Sequence, residues 1–175
     1  MKITSTVVAA ALTTSALIIP TMGASAETAG FSDPPDMTTS STDVKWVEVT
    51  NERADDRFAL KVRVNKIRLG SSMVVYLDRN RANAGPELRM VAVPDSEWAL
   101  FRVGSWSDHG RRIDLCGRVR MSSFDNDHRA TWRAERSCLG IGGAVRVAVK
   151  MIDPKGRADW APAPKTFFDR VSAGR

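Results

Sequence analysis

The chain of 175 residues has only two cysteines, Cys116 and Cys138, and only two histidines, His109 and His128. Neither histidine is spaced with the cysteines as in a zinc motif, so a Cys/His metal site is not indicated. The sequence also lacks a Gly-x-Ser-x-Gly elbow, a His-Glu-x-x-His pair and a phosphate-binding loop. The enzyme classes that carry those motifs are therefore unsupported. Sustained helical periodicity and internal repeats are absent as well, which argues against helical bundles and repeat arrays. Ser105, Ser107, Asp108 and His109 supply triad residue types within five positions. Triads are assembled from separated segments, so this cluster predicts no catalysis. A carboxylate pair for glycoside hydrolysis leaves no mark in sequence, and an extracellular hydrolase stays an alternative.

The first 26 residues place Lys2 before an uncharged run from Ile3 to Ile19, followed by Ala24-Ser25-Ala26. That layout predicts a secretory signal peptide over 1–26, with the mature protein starting at Glu27 and released outside the cell. No stop-transfer segment follows, so no transmembrane segment is expected in the mature protein. No cysteine stands beside the cleavage site to accept a lipid. The next stretch, 27–43, is rich in Thr, Ser and Pro and reads as a flexible spacer, leaving 44–175 as one domain.

The chain has 26 basic and 20 acidic residues, and the leader contributes only Lys2, so residues 27–175 carry 25 − 20 = +5. A basic exported protein favours anionic partners such as wall polymers and acidic polysaccharide, although dispersed solvated arginines give the same sum. Export also places Cys116 and Cys138 where thiols oxidise, and one intramolecular disulfide is the expectation. Such a bridge stabilises by roughly 3 kcal/mol in the chain-entropy model.

What the domain does contain is alternation. Phe58, Leu60, Val62 and Val64 alternate with Ala59, Lys61 and Arg63, so one side of that strand is buried and the other wet. Similar runs lie at Val44–Thr50, Met73–Asp78, Glu87–Val93, Trp98–Val103, Gly117–Phe124, Arg129–Arg136 and Ala144–Ile152, separated by Gly, Pro, Asn and Asp. About eight such strands predict an all-β fold, a single antiparallel β-sandwich of jelly-roll or immunoglobulin-like order. A two-residue turn at Asn126-Asp127 would set Met121 opposite Trp132, Val119 opposite Ala134 and Ser123 opposite Ala130. Cys116 then falls one residue short of Cys138, and a bulge at Gly117 would let the two meet.

The segment Tyr76-Leu77-Asp78, a polar loop and Gly85-Pro86-Glu87 resembles a strand–loop–strand of secreted β-sandwich proteins. With the leader, the cysteine pair and Asp159-Trp160-Ala161-Pro162, the chain is similar to small exported actinobacterial proteins of no established function. The loop is more distantly similar to family-nine carbohydrate-binding modules, where comparable acidic loops hold calcium and exposed tryptophans hold sugar. That similarity makes Asp78, Asn80, Asn83 and Glu87 candidate calcium ligands, being hard oxygens on a short loop. Arg79 and Arg81 among them disfavour a divalent cation, and Asp78 and Asn80 would equally well satisfy turn amides, so no cofactor is expected.

Two side-chain sets are candidate ligand sites. Trp106 and Trp160 fall in loop-like sequence and would either stack sugar or plug the end of the sandwich. Trp98 and Trp132 sit in alternating runs and read as core. Arg118, Arg120 and Arg133 share the solvent face of the predicted hairpin and make a candidate cationic patch for anionic polymer. No nucleic-acid module is recognisable, so nucleic acid is not the expected partner. The expectation is a secreted, non-catalytic binding module for extracellular polysaccharide or anionic wall polymer. An inhibitor-like domain that binds a protein is a further alternative.

Overall fold

The structure is a computed structural model that describes residues 28–34, 40–93, 97–114, 120–125 and 128–174, with backbone alone at 120–125. The predicted signal peptide, residues 35–39, Cys116, Arg118 and the Asn126-Asp127 turn lie outside the described residues. Eleven strands and no helix occur among the described residues. They are β1 Thr28–Ser32, β2 Val44–Glu52, β3 Arg57–Val64, β4 Ser72–Asp78, β5 Leu88–Ala92 and β6 Trp98–Arg102. The rest are β7 Arg111–Ile113, β8 Arg120–Asp125, β9 Arg129–Glu135, β10 Arg146–Ile152 and β11 Ala158–Ala161.

All pairings are antiparallel. One sheet has five strands in the order β1-β2-β3-β9-β8, and the other has six in the order β11-β10-β4-β5-β6-β7. Alternation supplies the reason they face each other. Val47, Val49, Leu60, Val62 and Trp132 from the first sheet share one core with Met73, Val75, Leu77, Met90, Val149 and Met151 from the second. At its centre the Phe58 and Trp132 rings meet edge to face with centroids 5.4 Å apart. The fold is thus a β-sandwich.

The strand count exceeds the predicted eight because three short strands carry weak alternation. β1 lies within the segment that composition reads as a flexible spacer. It pairs with β2 from Thr28↔Thr50 to Ser32↔Trp46, which turns Ala29 and Phe31 inward. Phe31 then stacks on Phe168, from the last residues of the chain, at 4.7 Å. Asn51, fully buried, ties that C-terminal segment down: its Nδ2 donates to the Gly143 and Val171 carbonyls at 3.0 and 2.9 Å. Apolar burial and these bonds outweigh the disorder-prone composition.

The β8–β9 register matches the prediction at Met121↔Trp132, flanked by Arg120↔Arg133 and Ser122↔Thr131. The ladder then shifts between Ser122 and Asp125, so the predicted Ser123–Ala130 pair falls at an irregularity. Cys138 follows β9 in the turn that spans 136–140. Its predicted partner Cys116 and the Gly117 bulge lie outside the described residues.

Candidate functional site

An antiparallel sheet in a sandwich usually leaves one face to water. β4 does not. Met73, Val75 and Leu77 point to the shared core, yet the outward Val74 and Tyr76 are only 7% and 5% exposed. Across the register, outward Tyr76 lies beside Ala148 of β10 and Arg89 of β5. A second apolar cluster has therefore formed on the outer face of the six-stranded sheet, built on Val74, Tyr76 and Ala148 and capped by half-buried Trp106, Trp160 and Phe167.

Each cap is aimed by its own local chemistry. Trp106 rides on the loop between β6 and β7. There the Asp108 carboxylate accepts the amides of Gly104 at 2.9 Å and Gly110 at 2.8 Å. These two bonds hold Asp108 below the usual carboxylate range, against a smaller opposing effect of burial. Gly110 has φ +71°, and a Cβ there would lie 2.4 Å from the Arg102 carbonyl oxygen, so only glycine closes this loop. Arg89 adds a bond from Nη2 to the His109 carbonyl at 2.8 Å.

Trp160 is directed by its neighbours in β11. Asp159 and Ala161 are fully buried, and an Asp159 oxygen accepts the Val44 amide of the opposite sheet at 2.6 Å. With both neighbours turned inward, the strand period turns Trp160 outward, across from Lys150. Phe167 follows the same logic beside the inward Phe168, whose amide donates to Val147 O at 2.9 Å.

The rings close on one another around Tyr76. Its ring stacks on Trp160 at 5.5 Å and meets Trp106 at 5.0 Å, while Trp106 contacts Trp160 at 5.9 Å and Phe167 at 4.5 Å. Burial raises the Tyr76 phenol above its usual range, opposed by the charge and hydrogen bond of Arg89.

Cations rim the cluster. Arg146 lies 4.8 Å over Phe167, Lys150 lies 5.2 Å over Trp160, and Arg89 lies 4.9 Å over Phe101 of β6. Arg146 is anchored by fully buried Asp78, whose Oδ2 accepts Arg146 Nε at 2.5 Å and Arg170 Nη2 at 3.0 Å. One carboxylate thus serves two guanidiniums and leaves this face an excess of positive charge. Half-exposed ring surface beside cations is the chemistry that receives a sugar face carrying an acidic group.

The loop 78–87 spends its oxygens on itself. Beyond the two arginines, Asp78 accepts the Asn80 amide at 2.9 Å, and Asn80 Oδ1 accepts the Ala82 amide at 3.1 Å. Asn83 donates to Glu87 Oε1 at 3.1 Å, and Glu87 Oε2 accepts the Arg79 amide at 2.8 Å. Among the described residues no three His, Cys, Asp or Glu side chains gather to hold a metal ion.

Arg133, the candidate arginine whose side chain is described, lies on the opposite side of the molecule. It is exposed on the outer face of the five-stranded sheet, Arg120 occupies the register position paired with it in β8, and Arg118 lies outside the described residues. Nearby bases of that face are already engaged: Arg57 pairs with Glu52, Lys61 with Glu48 at 2.6 Å, and Arg63 covers Trp46 at 5.2 Å.

Comparison with models of known protein families gives no match, and comparison with curated proteins gives none either. The structure brings Trp106 and Trp160 together and separates them from Arg120 and Arg133. Sequence reasoning missed Tyr76, Phe167, Arg89, Arg146 and Lys150. The available signal was the unbroken apolar run Met73–Leu77, which marks a strand covered on both faces. No helix among the described residues is long and apolar enough to cross a membrane.

Proposed function

We propose that this is a secreted, non-catalytic binding module that takes anionic extracellular polysaccharide or wall polymer on the outer face of its six-stranded sheet. The observation that carries the reading is the convergence of Trp106 and Trp160 on Tyr76 beneath a rim of Arg89, Arg146 and Lys150. The half-exposed edges of the rings offer contact area at little conformational cost, and the cations select polymers bearing carboxylate or phosphate. The resemblance of the loop at Tyr76–Glu87 to carbohydrate-binding modules supports the same face, since that loop begins on the strand that carries Tyr76.

Asp108 supports a binding role for its loop over a catalytic one. Both its oxygens are committed to loop amides, and Ser105 Oγ contacts Ser107 Oγ at 3.4 Å. The loop's acid positions Trp106. Export from the 1–26 leader and a Cys116–Cys138 bridge complete the proposal, and thiol alkylation of the unfolded, unreduced protein tests the bridge: two unmodified cysteines support it and two alkylated ones refute it.

The function itself is tested by titrating the protein with an acidic polysaccharide and with its neutral counterpart of equal length. Binding of the acidic polymer that weakens on Trp160→Ala supports the reading. Equal affinity for both polymers, or no binding, contradicts it.

A further inference from the structure

The large apolar side chains exposed among the described residues are Leu69, at 88%, and Val93, at 41%. Single exposed apolar residues are ordinary on a protein surface, so their placement decides whether they mean anything. Both lie at the same end of the sandwich. Leu69 sits in the β3–β4 loop just before Ser72, and Met73↔Ala92 pairing puts Val93 beside that same residue.

Leu69 is held there firmly. The Ser71 amide donates to the Arg68 carbonyl at 2.9 Å, and the Arg68 amide donates to Ser71 Oγ at 3.2 Å, closing a tight turn. Gly70 takes φ +85° at the third position, which leaves Leu69 on the outer corner. A Cβ on Gly70 would touch Pro154 at 3.5 Å, so the turn abuts the β10–β11 connection. That connection is itself fixed by Asp153, which accepts the Lys155 and Arg157 amides at 2.9 Å each and pairs with Arg157 at 2.6 Å. Two braced turns thus project side by side.

The charge around them has one sign in excess. Lys66, Arg68 and Lys155 are exposed and make no ion pair among the described residues. Asp43 and Asp153 at this end are bound to Lys45 and Arg157, which leaves Glu97, and on the sheet-edge strand Asp114 after Ile113, as the exposed acids among the described side chains here. An apolar corner between long basic side chains matches a bilayer interface, where the leucine enters the acyl boundary and the cations stay with anionic headgroups.

We propose that this end, with Leu69 at its tip and Lys66, Arg68 and Lys155 around it, docks on the surface of an anionic lipid bilayer. The surface is distinct from the aromatic face and does not depend on the polymer-binding reading.

Sedimentation of the purified protein with vesicles of phosphatidylglycerol and phosphatidylcholine in equal parts, and with phosphatidylcholine alone, tests it. The protein should partition onto the anionic vesicles, with binding reduced about tenfold by Leu69→Gln. Neutralising Lys66 and Arg68 together should cost about fivefold per charge. Trp106→Ala should leave vesicle binding unchanged. Equal binding to both vesicles, no binding, or anionic binding indifferent to Leu69→Gln overturns the proposal. Leu69 is exposed, so an unchanged melting temperature separates a lost contact from a lost fold.

Discussion

The indole rings of Trp106 and Trp160 meet edge to face, their centroids 5.9 Å apart and their planes at 68°. One comes from the loop between β6 and β7 and the other from the last strand, and Tyr76 joins them from the centre of the sheet. A face that would otherwise be wet has become a second small core with half-exposed aromatic edges. Under the proposed function, binding and local stability are linked at this site.

Trp160→Ala should weaken acidic-polymer binding about tenfold, as truncating a central aromatic anchor does. The fold should survive, because the shared core lies on the other side of the sheet. Isothermal titration and a thermal melt on the same sample check both.

Asp78→Ala should destabilise by about 3–5 kcal/mol, since it strands the Arg146 and Arg170 guanidiniums without their buried counter-charge. Arg146 also lies over Phe167, so the aromatic cluster should loosen with it. Denaturant unfolding reads the first effect, and near-ultraviolet circular dichroism reads the second.

The Trp106 loop should open in acid. Asp108 is held below its ordinary value by the Gly104 and Gly110 amides, so its contribution is complete above that ordinary value, near 3.8. It is lost as pH falls through the lower value of the folded state. Tryptophan fluorescence should show this transition in the parent protein, and Asp108→Ala should lack it.

Phe31→Ala should cost about 2 kcal/mol, the transfer free energy of a large side chain that is not fully buried. A truly loose N-terminal segment would show no effect. Urea midpoints of the two proteins give the answer.

Alternation made the long strands legible. Phe58–Val64 alternates without a break and is β3, and Met121 does face Trp132. β1 escaped because Gly30 and its small neighbours look like spacer, and only the distant Phe168 gives Phe31 a reason to be inside. β7 has three residues, and β11 carries Asp159 at an inward position, which breaks the expected apolar period. In the candidate site, Trp106 and Trp160 were readable one by one. Their meeting was not, because period two assigns faces while leaving strand order open. The placement of β11 beside β10, and of β10 beside β4, is what carries Trp160 to Tyr76.

The most direct measurement is co-sedimentation of the protein and its Trp106→Ala and Trp160→Ala variants with isolated cell walls at low and high salt. The account predicts that the parent protein binds, that part of the binding survives high salt through ring stacking, and that each variant loses that surviving part. Binding abolished entirely by salt and indifferent to both tryptophans would contradict it and shift the site to the arginines of the opposite face.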